Sequence, residues 1–156
     1  MSPEGKNGHC VELRTARPDD LPEVLSLLGK ADLPTAGVAD SFSHFIVAES
    51  EGDLVGVVGL ELYGESALLR SAAVEEGWRG TGVGRLLVER ALDLARERRI
   101  EDVYLLTTTA EEYFPKFGFA CVSRDAVVEE VRSSVEFQGA CPASAVVMRK
   151  HLAGVN

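Results

Sequence analysis

Residues 79–85 read RGTGVGR, three glycines at alternate positions between two arginines. Glycine has no Cβ, so Gly80, Gly82 and Gly84 let backbone N–H groups come close to another molecule or adopt φ > 0. Val83, Leu86, Leu87, Ala91, Leu94 and Ala95 then recur at helical spacing, so the glycines open a helix. A helix N-terminus presents unpaired N–H donors and the positive end of the macrodipole, which suits phosphate. The P-loop pattern GxxxxGK[ST] fails on spacing and on its Lys-Ser/Thr pair. The dinucleotide pattern GxGxxG fails because Arg85 and Leu87 stand where its last glycine would be. Two readings remain: an anion held on the amides of Arg79, Gly80, Thr81, Gly82, Val83, Gly84 and Arg85, or a tight turn without a ligand.

Arg70 is the second residue with chemical potential, because it interrupts the otherwise apolar run from Ala67 to Val74. A buried arginine needs an anion or a route to solvent. Alternation puts Arg70, Ala72 and Val74 on one face and Leu69, Ser71 and Ala73 on the other. Arg70 then either forms a salt bridge on a neighbouring strand, with Glu61 as the natural partner, or holds the carboxylate of a substrate in a bidentate pair. Cys10, Cys121 and Cys141 are odd in number, widely spaced and far from paired histidines, which predicts no metal site. Cys121 and Cys141 read as small buried hydrophobes.

These residues are carried by a chain of 156, long enough for one domain with a real core. At 46% hydrophobic residues and without an apolar run of transmembrane length, it reads as soluble, with no membrane partner and the cytoplasm as its address. Met1 to Cys10 reads as a flexible lead rather than a signal peptide, with the domain running from 11 to 153. A net charge of −9 makes nucleic acid a poor partner and requires any polyanion to meet positive charge gathered locally, from Arg70, Arg79 and Arg85. A homodimer is compatible with this composition.

Val11 to Ala16 alternates as a first strand, and a helix capped by Asp19 or Asp20 carries Leu21, Val24, Leu25 and Leu28 on one face. The stretch from Gly29 to Val38 is a loop that could fold over a substrate. Phe45 to Ala48, Leu54 to Leu62 and Ala67 to Val74 follow as an antiparallel meander turning at Glu51-Gly52-Asp53 and Gly64-Glu65. The glycine-led helix crosses over to a parallel fifth strand, Val103 to Leu106. Thr109 with Glu112 reads as a capping box for a short helix stopped by Pro115, and Gly118 turns into a sixth strand, Phe119 to Val122. Val127 to Phe137 reads as a further helix and Ala143 to Met148 as the last strand.

This order of elements, Arg79-x-x-Gly82-x-Gly84 after Ala72-Ala73-Val74, and Ala110-x-x-Tyr113-Phe114-x-x-x-Gly118-Phe119 together resemble the GNAT acetyltransferases over nearly the whole chain. The resemblance implies an α/β (α+β) fold: a mixed, mostly antiparallel sheet of about seven strands, helices on both faces, and strands four and five parallel and splayed. It implies acetyl-coenzyme A as cosubstrate, with its pyrophosphate on the glycine turn and its pantetheine arm beside Ala72, Ala73 and Val74. Transfer to an amine would be direct, and Arg70, Ser71, Thr107 and Thr108 would face the acceptor. The family's general acid is a tyrosine, often in the order Phe-Tyr. Here Tyr113 precedes Phe114, a rotation of about 100° on a helix, so Tyr113 is either packing or the acid.

Leu33-Pro34-Thr35-Ala36, Leu105 to Ala110 and Cys141 to Ala145 are similar to the arsenic-resistance N-acetyltransferase branch. The Leu-Thr-Thr run is also similar to the catalytic domain of N-acetylglutamate synthase. Both imply a small acceptor amine, an amino acid or a toxic analogue of one. A noncatalytic acyl-coenzyme A sensor, with Phe114 marking the lost acid, and a protein N-terminal or lysine acetyltransferase are the alternatives.

Overall fold

The computed structural model describes residues 10–140 and 144–152. Its strands are β1 (Glu12–Thr15), β2 (Phe45–Ser50), β3 (Asp53–Tyr63), β4 (Ser66–Val74), β5 (Asp102–Thr107), β6 (Ala120–Cys121) and β7 (Val146–His151). The α-helices are α1 (Leu21–Lys30), α2 (Val83–Glu97) and α3 (Glu129–Arg132). The seven strands form a mixed sheet in the order β1-β2-β3-β4-β5-β7-β6. β4 and β5 pair in parallel over Ser66↔Asp102 to Leu68↔Tyr104, as the crossover through α2 requires, and both strands run on beyond that ladder. Among the described residues no helix is long and apolar enough to cross a membrane.

Two compact units make up the fold, and the first comprises the chain to Leu60 with Ser71–Ala91. Its core joins Val24, Leu27 and Leu28 of α1 to Phe45, Val47, Val57 and Ala73. A Cβ built on Gly56 would meet Leu87 Cδ1 at 2.7 Å and Val83 Cγ1 at 3.2 Å, both on α2. Successive strand residues point to opposite faces, so α1 over Val57 and α2 over Gly56 lie on opposite faces of β3. Gly59 is the tighter position: its Cβ would fall 2.3 Å from Cε1 and Cζ of the buried Phe45. The turn at Glu51 and Gly52 has φ of 50° and 86°, the left-handed pair that a two-residue hairpin favours.

The loop expected from Gly29 to Val38 begins after α1, at Ala31, and leads into a 3-10 helix, Ala39–His44, with Val38 and Phe42 buried in the α1 core. One local expectation fails in this unit: Asp20 does not cap α1 through its side chain. Its carboxylate accepts the Arg17 N–H at 2.7 Å and the Arg14 guanidinium at 2.7 and 3.1 Å, while Arg14 Nε donates to Glu49 at 2.8 Å. The charged donor outcompetes the amides of the first helical turn.

The Arg14 hydrogen bonds hold the Asp20 carboxyl below its ordinary value, against a burial effect of opposite sign. A carboxylate with a lowered folded-state pKa adds stability that is complete above its unfolded value, about 4, and is lost as pH falls through the folded one. Asp20→Asn should therefore cost about 1–2 kcal/mol at neutral pH and lessen the fall in stability below about pH 4. Urea midpoints measured from neutral to acid pH check this; parallel acid limbs in the two proteins would refute it.

The second unit comprises Glu61–Arg70 and the chain from Leu92 onward. Leu68, Tyr104, Val127, Val131 and Val147 form its core, with Tyr63, Leu106, Val122 and Phe137 packed around it. Thr109 does not cap a helix; Thr107 Oγ1 accepts the Ala110 N–H at 2.9 Å, and the chain turns into a 3-10 helix, Phe114–Phe117. Pro115 sits in the first turn of that helix, where its missing N–H costs nothing, and Gly118 ends it at φ 95°. The helix expected over Val127 to Phe137 shortens to α3, followed by the irregular segment Glu136–Ala140. Cys121 is exposed rather than buried, because β6 is a two-residue edge strand that, among the described residues, pairs with β7 alone. The lead up to His9 and Cys141 lie outside the described residues.

Candidate active site

In the first unit, β4 ends at Val74 and a 3-10 turn, Glu76–Trp78, leads into the glycine stretch. Arg79 folds back so that its Nε donates to the Val74 carbonyl at 3.3 Å, which joins two of the expected cofactor residues. Both border a concavity of about 430 Å³ shared with Leu27, Lys30, Glu75 and Glu76. Thr81 donates both its N–H and its hydroxyl to the Trp78 carbonyl, which fixes the turn. Gly80 and Gly82 take φ of 81° and 95°, values that L side chains rarely adopt. A Cβ at either would meet no atom of the described residues within 4 Å, unlike the packed Gly56 and Gly59.

The first intrahelical bond of α2 runs from the Leu86 N–H to the Gly82 carbonyl, 3.1 Å. The amides of Val83, Gly84 and Arg85 precede it, the set a helix start leaves for another acceptor. Positive φ explains Gly80 and Gly82 as turn residues. It does not explain Gly84, which lies within α2 and has no left-handed φ. A glycine there costs about 1 kcal/mol relative to alanine, and close approach to the backbone is the return that physical chemistry offers. Arg85 is exposed and pairs with Glu89 at 3.3 Å.

β4 departs from strict alternation at Ser71, whose φ of 60° interrupts the extended run between Arg70 and Ala72. Arg70, Ala72 and Val74 therefore do not form the single face expected from the sequence. Ala73 packs in the α1 core, while Ala72 and Val74 are half-buried.

In the second unit, Arg70 is buried among acids. Its Nη1 contacts Glu61 Oε2 at 2.7 Å, the anticipated strand partner, and its Nε lies 3.4 Å from Glu136 Oε2, a partner the sequence reading missed. The Tyr63 hydroxyl donates to Glu61 Oε1 and shares a hydrogen bond with Ser134, whose Oγ accepts the Glu136 N–H at 3.2 Å. Burial, and then the Glu61 carboxylate, push the Tyr63 phenol up to about 12, so it remains a protonated donor at neutral pH. The positive charge expected from Arg70 is thus spent on two glutamates, and Arg79 and Arg85 carry it at the surface. Glu136 could have been flagged as Arg70 was, as a charge between Val135 and Phe137 in an apolar setting.

Thr107 ends β5 opposite Val146, with its hydroxyl turned to the Ala110 amide, and Thr108 is exposed. Ser71 is buried. The Tyr113 ring stands edge-on to Phe114 at 5.4 Å and Phe117 at 5.3 Å, with Lys116 Nζ 5.4 Å from its centroid. Packing of this kind predicts that Tyr113→Phe lowers acetyl transfer tenfold or less, about 1.4 kcal/mol, and that Phe114→Tyr gains little. Turnover assays on both variants check this. A loss of several orders of magnitude for Tyr113→Phe, with cofactor affinity intact, would make the phenol an acid.

The acetyltransferase (GNAT) domain matches residues 41–121, slightly more than half of the chain and the part that holds the meander, the glycine turn, α2 and β5. The chain belongs to the GNAT acetyltransferase family. The family resemblance carried by the glycine turn and by Ala110 to Phe119 therefore holds. An amino-acid acetyltransferase of Mycobacterium tuberculosis is 31% identical over 129 residues, covering 76% of this chain and 74% of that protein. An uncharacterized N-acetyltransferase of Chlorobaculum tepidum is 30% identical over 89 residues, 56% of this chain and 57% of that one. N-acetylglutamate synthase from Neisseria gonorrhoeae, solved with coenzyme A and N-acetyl-glutamate, shares the GNAT fold at a TM-score of 0.79 and 23% identity. That match covers 91% of this chain but 35% of the synthase, so the protein spans about a third of that relative.

Proposed function

We propose that this GNAT acyltransferase moves an acetyl group from acetyl-coenzyme A to the primary amine of a small acceptor, an amino acid or a toxic analogue of one. The observation that carries the cosubstrate is the backbone at Gly82–Arg85: a left-handed glycine, amides that precede the first helical bond, and a glycine at Gly84 that the helix itself does not need. These amides would hold the pyrophosphate, with Arg79 and Arg85 adding charge and Ala72 to Val74 offering β4 backbone to the pantetheine arm. Bound acetyl-coenzyme A supplies the acetyl thioester. The likeness to the mycobacterial amino-acid acetyltransferase over three quarters of both chains supports an amino-acid acceptor.

Arg70 is the residue we assign to the acceptor's carboxylate. A guanidinium fork binds carboxylate in two parallel hydrogen bonds and so would fix the direction of the neighbouring amine. The arsenic-resistance resemblance adds an arsenic-containing amino acid to the acceptors worth trying. The experiment is thiol release from acetyl-coenzyme A against the twenty L-amino acids, an arsenic-containing amino acid and a lysine peptide. Release with one or a few small acceptors is the expected result. Tight cofactor binding with no release for any amine would instead make the protein an acyl-coenzyme A sensor.

A further inference from the structure

Lys30, the last residue of α1, is exposed, and no demand of the helix explains it. The carbonyls at that helix end are closed by backbone: the Ala31 N–H bonds those of Leu27 and Leu28, the Asp32 N–H that of Gly29, and the Leu33 N–H returns to Leu28 at 3.0 Å. What remains for Lys30 there is the weak attraction of the helix dipole. Nor is its charge spent on an acid. Glu75 and Glu76 border the same concavity of about 430 Å³, yet Lys30 forms no ion pair among the described residues. Lys30 and Arg79 bring two positive charges to that concavity and the two glutamates bring two negative ones, so its walls are neutral in a chain of net charge −9. Without Lys30 they would be net negative, and a phosphate would be repelled where the concavity meets the glycine turn. All of these residues belong to the first unit.

We propose that Lys30 is a cofactor-binding residue, the second cation beside Arg79 on the pyrophosphate of coenzyme A. The inference rests on the reading of the glycine turn given above. The amides of Val83, Gly84 and Arg85 supply direction there but only partial charge, whereas a pyrophosphate carries full ones. Arg79 commits its Nε to the Val74 carbonyl, and Arg85 pairs with Glu89. Lys30 adds a compact ammonium with three rotatable donors, so the anion is held from two elements, α1 and the turn after β4. Its contribution is to binding alone; no proton or bond moves through it.

Lys30→Gln removes the charge and keeps most of the length, and Lys30→Arg keeps the charge. The contact is read by calorimetric titration of each folded variant with coenzyme A and with dephospho-coenzyme A, which retains the pyrophosphate but lacks the 3′-phosphate. We expect Kd to rise about three- to tenfold for both ligands in Lys30→Gln at low ionic strength, and to stay within about twofold of wild type in Lys30→Arg. The difference should close near 1 M salt, where the screening length falls to about 3 Å. An unchanged Kd in Lys30→Gln, or a loss that salt does not diminish, overturns the proposal and leaves Lys30 a residue of the helix end. A loss confined to coenzyme A moves the contact to the 3′-phosphate and overturns it equally. If Gly84→Val abolishes binding in the same titrations while Lys30→Gln does not weaken it, the glycine turn stands without Lys30. Wild type that binds neither ligand overturns both readings.

Discussion

Gly84→Val leaves the protein folded and weakens coenzyme A binding by 100-fold or more, to the point of loss in a calorimetric titration. Gly84 is helical, so a side chain there incurs no backbone strain, and valine is a slightly better helix residue than glycine. The melting temperature should hold or rise by a degree or two. What changes is the distance at which an anion can meet the amides at the start of α2, because a branched side chain stands over them. Gly82→Val should lose binding too. It is the poorer test, since its φ of 95° adds strain of about 1–3 kcal/mol. Unchanged affinity in folded Gly84→Val would reduce the turn to a connection with no ligand.

Arg70→Leu is expected to destabilise the protein by about 3–5 kcal/mol, because it removes the guanidinium from between two carboxylates that are each only 4% exposed. Replacing the whole triad is a different experiment from breaking it. The triple variant Arg70→Leu, Glu61→Leu, Glu136→Gln removes the charges together and should recover most of the loss. Arg70→Lys keeps the charge without the fork and should fall between. Urea unfolding of the four proteins measures this. A triple variant no more stable than Arg70→Leu alone would mean that packing around Arg70, rather than charge, sets the cost.

The sequence made legible what is local and periodic. The meander of β2 to β4, the helical repeat after the glycines, the turn at Gly118 and the Arg70–Glu61 pair all follow from spacing, turn residues and the cost of burying charge. What it concealed depends on partners far along the chain. Asp20 is a good cap in isolation and loses that role to Arg14. Thr109 has the capping-box spacing, yet Thr107 has the geometry. Ser71 carries no mark of its left-handed backbone, since serine is not a residue that φ > 0 favours. Glu136 sits in a stretch that reads as continuous helix, and only the tertiary fold brings it to Arg70.

The ring of Phe45 occupies the volume that a side chain at Gly59 would need. These two positions therefore behave as a single unit of volume divided unequally between them, and the stability effect of a change at one depends on the residue at the other. Alanine at 59 forces the ring off its place, whereas in a Phe45→Leu background the same alanine fills part of the space the ring gave up. A double-mutant cycle should show the pair departing from additivity by a kcal/mol or more, about the range for residues in direct contact. Redesign of the α1 side of this sheet can change them together but not one at a time.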